Sequence, residues 1–151
     1  QELKEHQIDT KLIEVEITES ANVENISTIA HCVRILRKNG ILVSLDDFGS
    51  GYSSMRYLVE LEVDKIKIDK SFIQKAEANN NALLVLKKMI DLGKEINLKI
   101  LCEGIETINQ LNLVKSLGAC EGQGYYFGKP QLIIMDQSKH ALNSQNHLLS
   151  A

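Results

Sequence analysis

Cysteine is scarce in this chain and poorly spaced for chemistry. Cys32, Cys102 and Cys120 are odd in number and far apart, a pattern of reduced core or loop thiols and not of a disulfide framework or paired zinc ligands. The four histidines, His6, His31, His140 and His147, also lack ligand spacing and read as structural or exposed. There is no tryptophan and a single proline, and no low-complexity segment or clear domain boundary interrupts the chain. Apolar runs such as Leu83 to Leu86 and Ile41 to Val43 fall far short of the roughly 18 residues needed to cross a bilayer. The N-terminus lacks the basic-then-apolar profile of a signal peptide. These absences point to a cytoplasmic domain, or a piece of a larger chain, without membrane contact. An excess of positive charge is missing too: the net charge is −3 and the pI near 5.8. That argues against a surface for DNA or RNA, although a small phosphorylated ligand needs only a few local cations.

The 151 residues, 44% hydrophobic and 25% charged, suit one globular domain. Residues 1–10 are polar and read as a linker or the end of a preceding helix. From Leu12 to Glu19, alternation puts Ile13, Val15 and Ile17 on one face and Glu14, Glu16 and Thr18 on the other, the pattern of a strand. A helix follows, capped by Asn22 or Asn25, with Ile26, Ile29, Ala30, Val33 and Leu36 at helical period and Asn39-Gly40 at its end. The second strand is Ile41 to Leu45, ending at Asp46-Asp47. A short helix is expected around Met55 to Leu61 and a third strand over Val63 to Asp69, with Lys67 and Asp69 on one side. Asn79 to Asn81 start a helix burying Leu83, Leu86, Met89, Ile90 and Ile96. The fourth strand, Leu98 to Cys102, delivers Glu103. Thr107 and Gln110 form a capping-box pattern for a helix closing at Leu117-Gly118. The last strand is expected near Gly124 to Phe127, preceded by Gln123, with a weaker helix after Lys129-Pro130 and a polar tail over 138–151. About five βα units in this order predict an α/β fold with a parallel sheet and right-handed crossovers.

In such a fold the chemistry gathers where the strands end. Glu16, Asp46 with Asp47, Lys67 and Glu103 all fall at or near strand ends, and Gln123 follows at the fifth. Two unit charges 4 Å apart repel by about 4 kcal/mol at an effective dielectric near 20, and a divalent cation is the usual remedy. Hard oxygen ligands with one lysine suit magnesium or manganese. Blander readings exist for each: a solvated acidic turn at Asp46-Asp47, a solvent-facing Glu16, an ion pair of Lys67 with Asp69 or Asp46. Glu19, Glu106 and Gln123 can equally be loop hydrogen-bonders or helix N-terminal charges. Asp47 reaches a shared site only if the chain turns there. The run Tyr125-Tyr126-Phe127 reads as barrel packing ahead of a base-stacking platform.

Five segments in order, LIEVEITES from Leu12, DDFGSGYSS from Asp46, VDKIKIDKSF from Val63, EGIET from Glu103 and QGYYFGKP from Gln123, make the chain resemble the EAL domain. That is the cyclic di-GMP phosphodiesterase family of bacterial signalling proteins. The resemblance implies a partial (β/α)8 TIM-type barrel over residues 11–137. It also implies metal-dependent hydrolysis of cyclic di-GMP to linear pGpG in second-messenger signalling. By position, Glu16, Asp46, Asp47 and Glu103 match metal ligands for Mg2+ or Mn2+. Lys67 matches the lysine at the nucleophilic water, and Glu103 the candidate that activates it. Gln123 matches a residue lining the site, Glu19 the anchor of the loop after Asp46-Asp47, and Glu106 a supporting glutamate. Sensor or cyclase domains in a parent chain, and a homodimer, are further expectations.

Barrels of this kind run to roughly 250 residues and close with eight strands, whereas five are expected here. The Glu-Ala-Leu segment and an asparagine ligand are not found in residues 1–15. Weak or absent turnover is therefore expected of this chain alone. The alternative function is a catalytically inactive module that binds cyclic di-GMP, regulates, or associates through its open sheet edges.

Overall fold

A computed structural model of the chain describes residues 2–18, 26–50, 54–131 and 147–148. A short helix α1 (Glu2–Glu5) and a 3-10 turn (Thr10–Leu12) lead into β1 (Glu14–Thr18). Then follow α2 (Ile26–Lys38), β2 (Leu42–Phe48), α3 (Ser54–Glu60), β3 (Lys65–Ile68), α4 (Lys70–Ala76) and α5 (Asn80–Glu95). The chain continues through β4 (Lys99–Cys102), α6 (Ile108–Ser116), β5 (Glu121–Gly122) and β6 (His147–Leu148). The strands lie in sequence order in one sheet; β1 to β5 are parallel, and β6 adds antiparallel to β5. Parallel neighbours joined through helices are the expected α/β arrangement.

Alternation along the strands sorts the residues between two sides. Val43, Leu45, Ile66, Ile68, Ile100 and Cys102 are buried in the hydrophobic core with Val33 of α2, Tyr57 of α3, Ile73 of α4 and Leu86 and Ile90 of α5. Each buried aliphatic side chain contributes about 2 kcal/mol relative to exposure. On α5, Leu86, Met89, Ile90 and Gly93 make the buried stripe at helical spacing. A β-carbon at Gly93 would stand 3.0–3.1 Å from Ile100 and Ile66, so the glycine lets α5 lie close on the sheet. Asn79 caps α5 by accepting from the backbone N–H of Asn81 and Ala82. Thr107 and Gln110 close the expected capping box on α6.

The fold departs from the sequence-based expectation at several places. Helix α4, capped by Asp69, was not foreseen, and neither was β6. Ile96, expected inward, is the C-terminal cap of α5 and is 42% exposed. The last parallel strand is Glu121–Gly122 and not Gly124 to Phe127, which forms a turn; Gln123 therefore follows that strand instead of preceding it. The aromatic run also divides: Phe127 packs on the core, while Tyr125 and Tyr126 are 58% and 43% exposed. The expected Asn22 or Asn25 cap, Glu19 and the helix after Pro130 lie outside the described residues.

Candidate active site

The face of the sheet opposite the helices carries charge. Glu14 and Glu16 of β1, Ser44 and Asp46 of β2, Lys65 and Lys67 of β3 and Glu121 of β5 alternate with core residues and so share that side. At its C-terminal end the Lys67 ammonium sits 2.8 Å from Glu16 Oε1, 2.8 Å from Asp46 Oδ1 and 2.9 Å from Glu103 Oε1. Three carboxylates from three strands thus converge on one cation. The Lys67 side chain is only 8% exposed. Asp46 Oδ1 is enclosed, and the ammonium meets it as an ion-pair contact without an aligned hydrogen bond.

Asp47 reaches the same place because the strand is irregular. Leu45 pairs with Ile66 but Phe48 pairs with Ile68, so β2 carries one extra residue, a β-bulge. Asp47 takes φ 53°, a left-handed conformation that aspartate tolerates better than most residues. In regular alternation Phe48 would face the charged side; after the bulge it returns to the core, 1% exposed. The strand also continues through both acids, instead of ending before them as the sequence suggested. Ligand oxygens of Asp46, Asp47 and Glu103 lie within 4.8 Å of one another. These three can hold a divalent cation, and Glu16 joins them through Lys67.

The electrostatics follow from this crowding. Burial pushes the Glu103 carboxyl above the usual glutamate value, against Lys67 and with added repulsion from Asp46 and Asp47. Asp47 is likewise raised, by burial and then by Asp46 and Asp69. Burial pulls Lys67 down, but Asp46, Glu16 and Glu103 more than offset it and hold the ammonium well above the ordinary lysine value. Lys67 is therefore a fixed cation and not a base.

A cleft of about 320 Å³ opens over the cluster, lined by Asp47, Asp69, Lys70, Glu103, Gly104, Gln123 and Gly124. Gln123 is held by backbone bonds: its N–H donates to Cys102 O, and its carbonyl accepts from Ile105 N–H. Gly124 permits this stitching, since a β-carbon there would collide with the Ile105 backbone. Sequence reasoning left Asp69 and Lys70 out of the site. Asp69 accepts from Ser71 N–H as the cap of α4, and that cap turns the chain so that both residues face the cleft. Glu106 is not among the acids of the cluster: the residue is exposed, and its backbone N–H donates to Gln110 Oε1. Gln110 is buried and donates to Glu77 Oε2 at 2.8 Å, tying α6 to the segment after α4.

A parallel sheet whose strand ends gather acids around a lysine below an open cleft belongs to the class of TIM-barrel-like α/β domains. The family model of the EAL domain matches residues 1–130, and the chain belongs to that family. It is 34% identical over 129 residues to a cyclic di-GMP phosphodiesterase of Pseudomonas aeruginosa, a match covering 85% of this chain and 22% of the relative. The EAL domain of Mycobacterium smegmatis DcpA superposes with a TM-score of 0.81 at 34% identity, over 86% of this chain and 58% of that one. A standalone EAL protein from Vibrio cholerae, solved bound to c-di-GMP, gives 0.81 at 31% identity, over 86% and 55%. The chain spans between 15% and 23% of the length of curated relatives it matches.

Proposed function

We propose that residues 11–137 are the C-terminal part of a metal-dependent phosphodiesterase domain that hydrolyses cyclic di-GMP to linear pGpG. The observation that carries this reading is the convergence of Glu16, Asp46 and Glu103 on Lys67, with Asp47 turned in beside them. In this reading Glu16, Asp46, Asp47 and Glu103 hold Mg2+ or Mn2+, which supplies charge for the phosphoryl oxygens and lowers the pKa of water. The enclosed Asp46 Oδ1 and the all-oxygen donor set fit such an ion.

The side chains divide the remaining work. Glu103, its proton affinity raised, takes the proton of the attacking water at a carboxylate oxygen. Lys67 stays charged, orients the three carboxylates and faces the phosphodiester anion with a fixed positive charge. Gln123 and Lys70 border the cleft that receives the nucleotide. Water adds to phosphorus as the P–O3′ bond breaks, O3′ takes up a proton from solvent and leaves as the 3′-hydroxyl, and the ring opens to a linear dinucleotide with a 5′-phosphate. Sensor or cyclase domains in a longer polypeptide belong to the same reading.

The test is to incubate the purified chain with Mn2+ and cyclic di-GMP, following metal by electron paramagnetic resonance and nucleotide by chromatography. The proposal expects Mn2+ binding that Asp46→Asn abolishes, with weak pGpG release by this chain. Nucleotide retention without any release supports the binding-module alternative. Absence of Mn2+ binding, or binding indifferent to Asp46, overturns the metal assignment.

A further inference from the structure

The inner face carries a second ionic layer that the proposed chemistry leaves unused. Lys65 Nζ lies 2.8 Å from Glu14 Oε2 and 2.9 Å from Glu121 Oε2. The Lys65 and Glu121 side chains are 7% and 12% exposed. Burial lowers the Lys65 pKa, yet the two carboxylates outweigh it and keep the group charged. Strand β2 separates β3 from β1, and β4 separates β3 from β5. One ammonium thus joins strands two places away on both sides.

In a flat sheet, side chains two strands apart stand nearly parallel at roughly 10 Å. Both contacts at once require the strands to curl around Lys65. The three residues also share a relation to the site: Glu14, Lys65 and Glu121 each precede a site residue, Glu16, Lys67 and Gln123, by two positions. With a side-chain period of two, Glu14 lies directly beneath Glu16 and Lys65 beneath Lys67 on their strands, while Gln123 continues the chain just past Glu121 of β5.

We propose that Glu14, Lys65 and Glu121 form a strap that sets the curvature of the sheet and so positions Glu16 and Gln123 around Lys67. Lys65 is a positioning residue and takes no part in the reaction. Its effect on the metal rests on the reading of the upper cluster as a metal centre; its effect on Lys67 does not.

The test uses the 151-residue chain and the double variant Lys65→Met/Glu121→Gln, which removes one charge of each sign and leaves the layer's net charge unchanged. Loss of a partner that orients metal ligands typically weakens metal affinity by about 10–100-fold, so Mn2+ binding is expected to fall at least about tenfold at a temperature where the variant is folded. Lys65→Arg, which keeps a donor for both carboxylates, should restore most of that affinity. Arg37→Ala, on the outer rim, should leave affinity unchanged.

The metal-free readout is the 15N resonance of the Lys67 ammonium, assigned with Lys67→Met. It should shift in the double variant. A folded double variant with native Mn2+ affinity and an unmoved Lys67 signal overturns the strap. If the unaltered chain binds no Mn2+, the metal reading fails and the ammonium signal alone decides the strap. Should the double variant not fold, Glu121→Gln alone must move both readouts in the same direction by a smaller amount, and no movement overturns the proposal.

Discussion

Arg37 and Lys67 each meet more than one carboxylate, at opposite ends of the same sheet. Arg37, near the N-terminal ends of the strands, contacts Glu62 at 3.3 Å and Asp64 at 3.0 Å with side chains 38%, 61% and 22% exposed. Asp64 there also accepts from Val43 N–H, so its charge locks the loop before β3 to β2. At the other end four carboxylates gather around one enclosed ammonium, where burial first and mutual repulsion second raise Glu103 and Asp47. Around Arg37 two carboxylates meet one cation, so a single negative charge is left over; around Lys67 four carboxylates gather on one cation, and so much like charge held close together is eased by a bound cation. The contrast supports placing the proposed chemistry at the Lys67 end on charge alone, without appeal to any motif.

The sharpest way to break this comparison is Lys67→Met. Removing one partner of a buried pair costs about 3–5 kcal/mol; because Glu16 is half exposed, about 3 kcal/mol is expected in urea unfolding, with pGpG release lost. Gly124→Ala comes next. The new methyl meets Ile105 backbone, and overpacking of this kind costs about 1–3 kcal/mol; the loop carrying Gln123 should shift, lowering activity more than the drop in stability explains.

A pH series sharpens the contrast further. Glu103 and Asp47 have folded values above their ordinary ones, so their ionisation weakens the fold, and protonation on the way down from neutral pH relieves it. Glu14 has the opposite sign. Burial raises its pKa, but Lys65 and Ser44 outweigh that and hold it low, so its contribution is present above the ordinary glutamate value and lost as pH falls through the lowered one. Calorimetry should therefore show Mn2+ raising the melting temperature most at neutral pH, the gain shrinking as pH enters the carboxylate range.

Asp47→Asn is expected to separate binding from folding. Asparagine accepts the left-handed conformation, so the metal-free protein should be slightly more stable, by under about 1 kcal/mol, while Mn2+ affinity falls. The smallest effect belongs to the other rim: Arg37→Ala should cost under about 1 kcal/mol and leave Mn2+ titrations unchanged.

Most of this architecture was legible in the sequence. Alternation in Glu14 to Thr18 and Lys65 to Ile68, and the helical stripes of α2 and α5, report which side each residue faces, and burial follows. What stayed hidden has physical causes. Helix α4 follows a strand with no intervening loop, because its cap, Asp69, comes directly after Ile68. The aromatic residues Tyr125 to Phe127 suggest a strand by propensity, yet the pairing falls on Glu121–Gly122, where Lys65 makes an inward glutamate tolerable; β propensity yields to such context. Among the acids, Glu16, Asp46 and Glu103 could be placed from their strand positions. Asp47 could not, because no residue pattern announces a bulge. Glu106, drawn in by motif likeness, sits away from the cluster.

The irregularity in β2 ties two needs together. Ordinary pleating allots each side every other residue, so neighbouring acids would be divided between solvent-side chemistry and oily interior. With one extra residue at position 47, both acids lie on the same rim and Phe48 still returns to the buried core. Shortening the chain there by a single residue would therefore exile the phenyl ring or the carboxylate, whereas a change of side chain spares the ring: at this point of the molecule, length is the less negotiable variable.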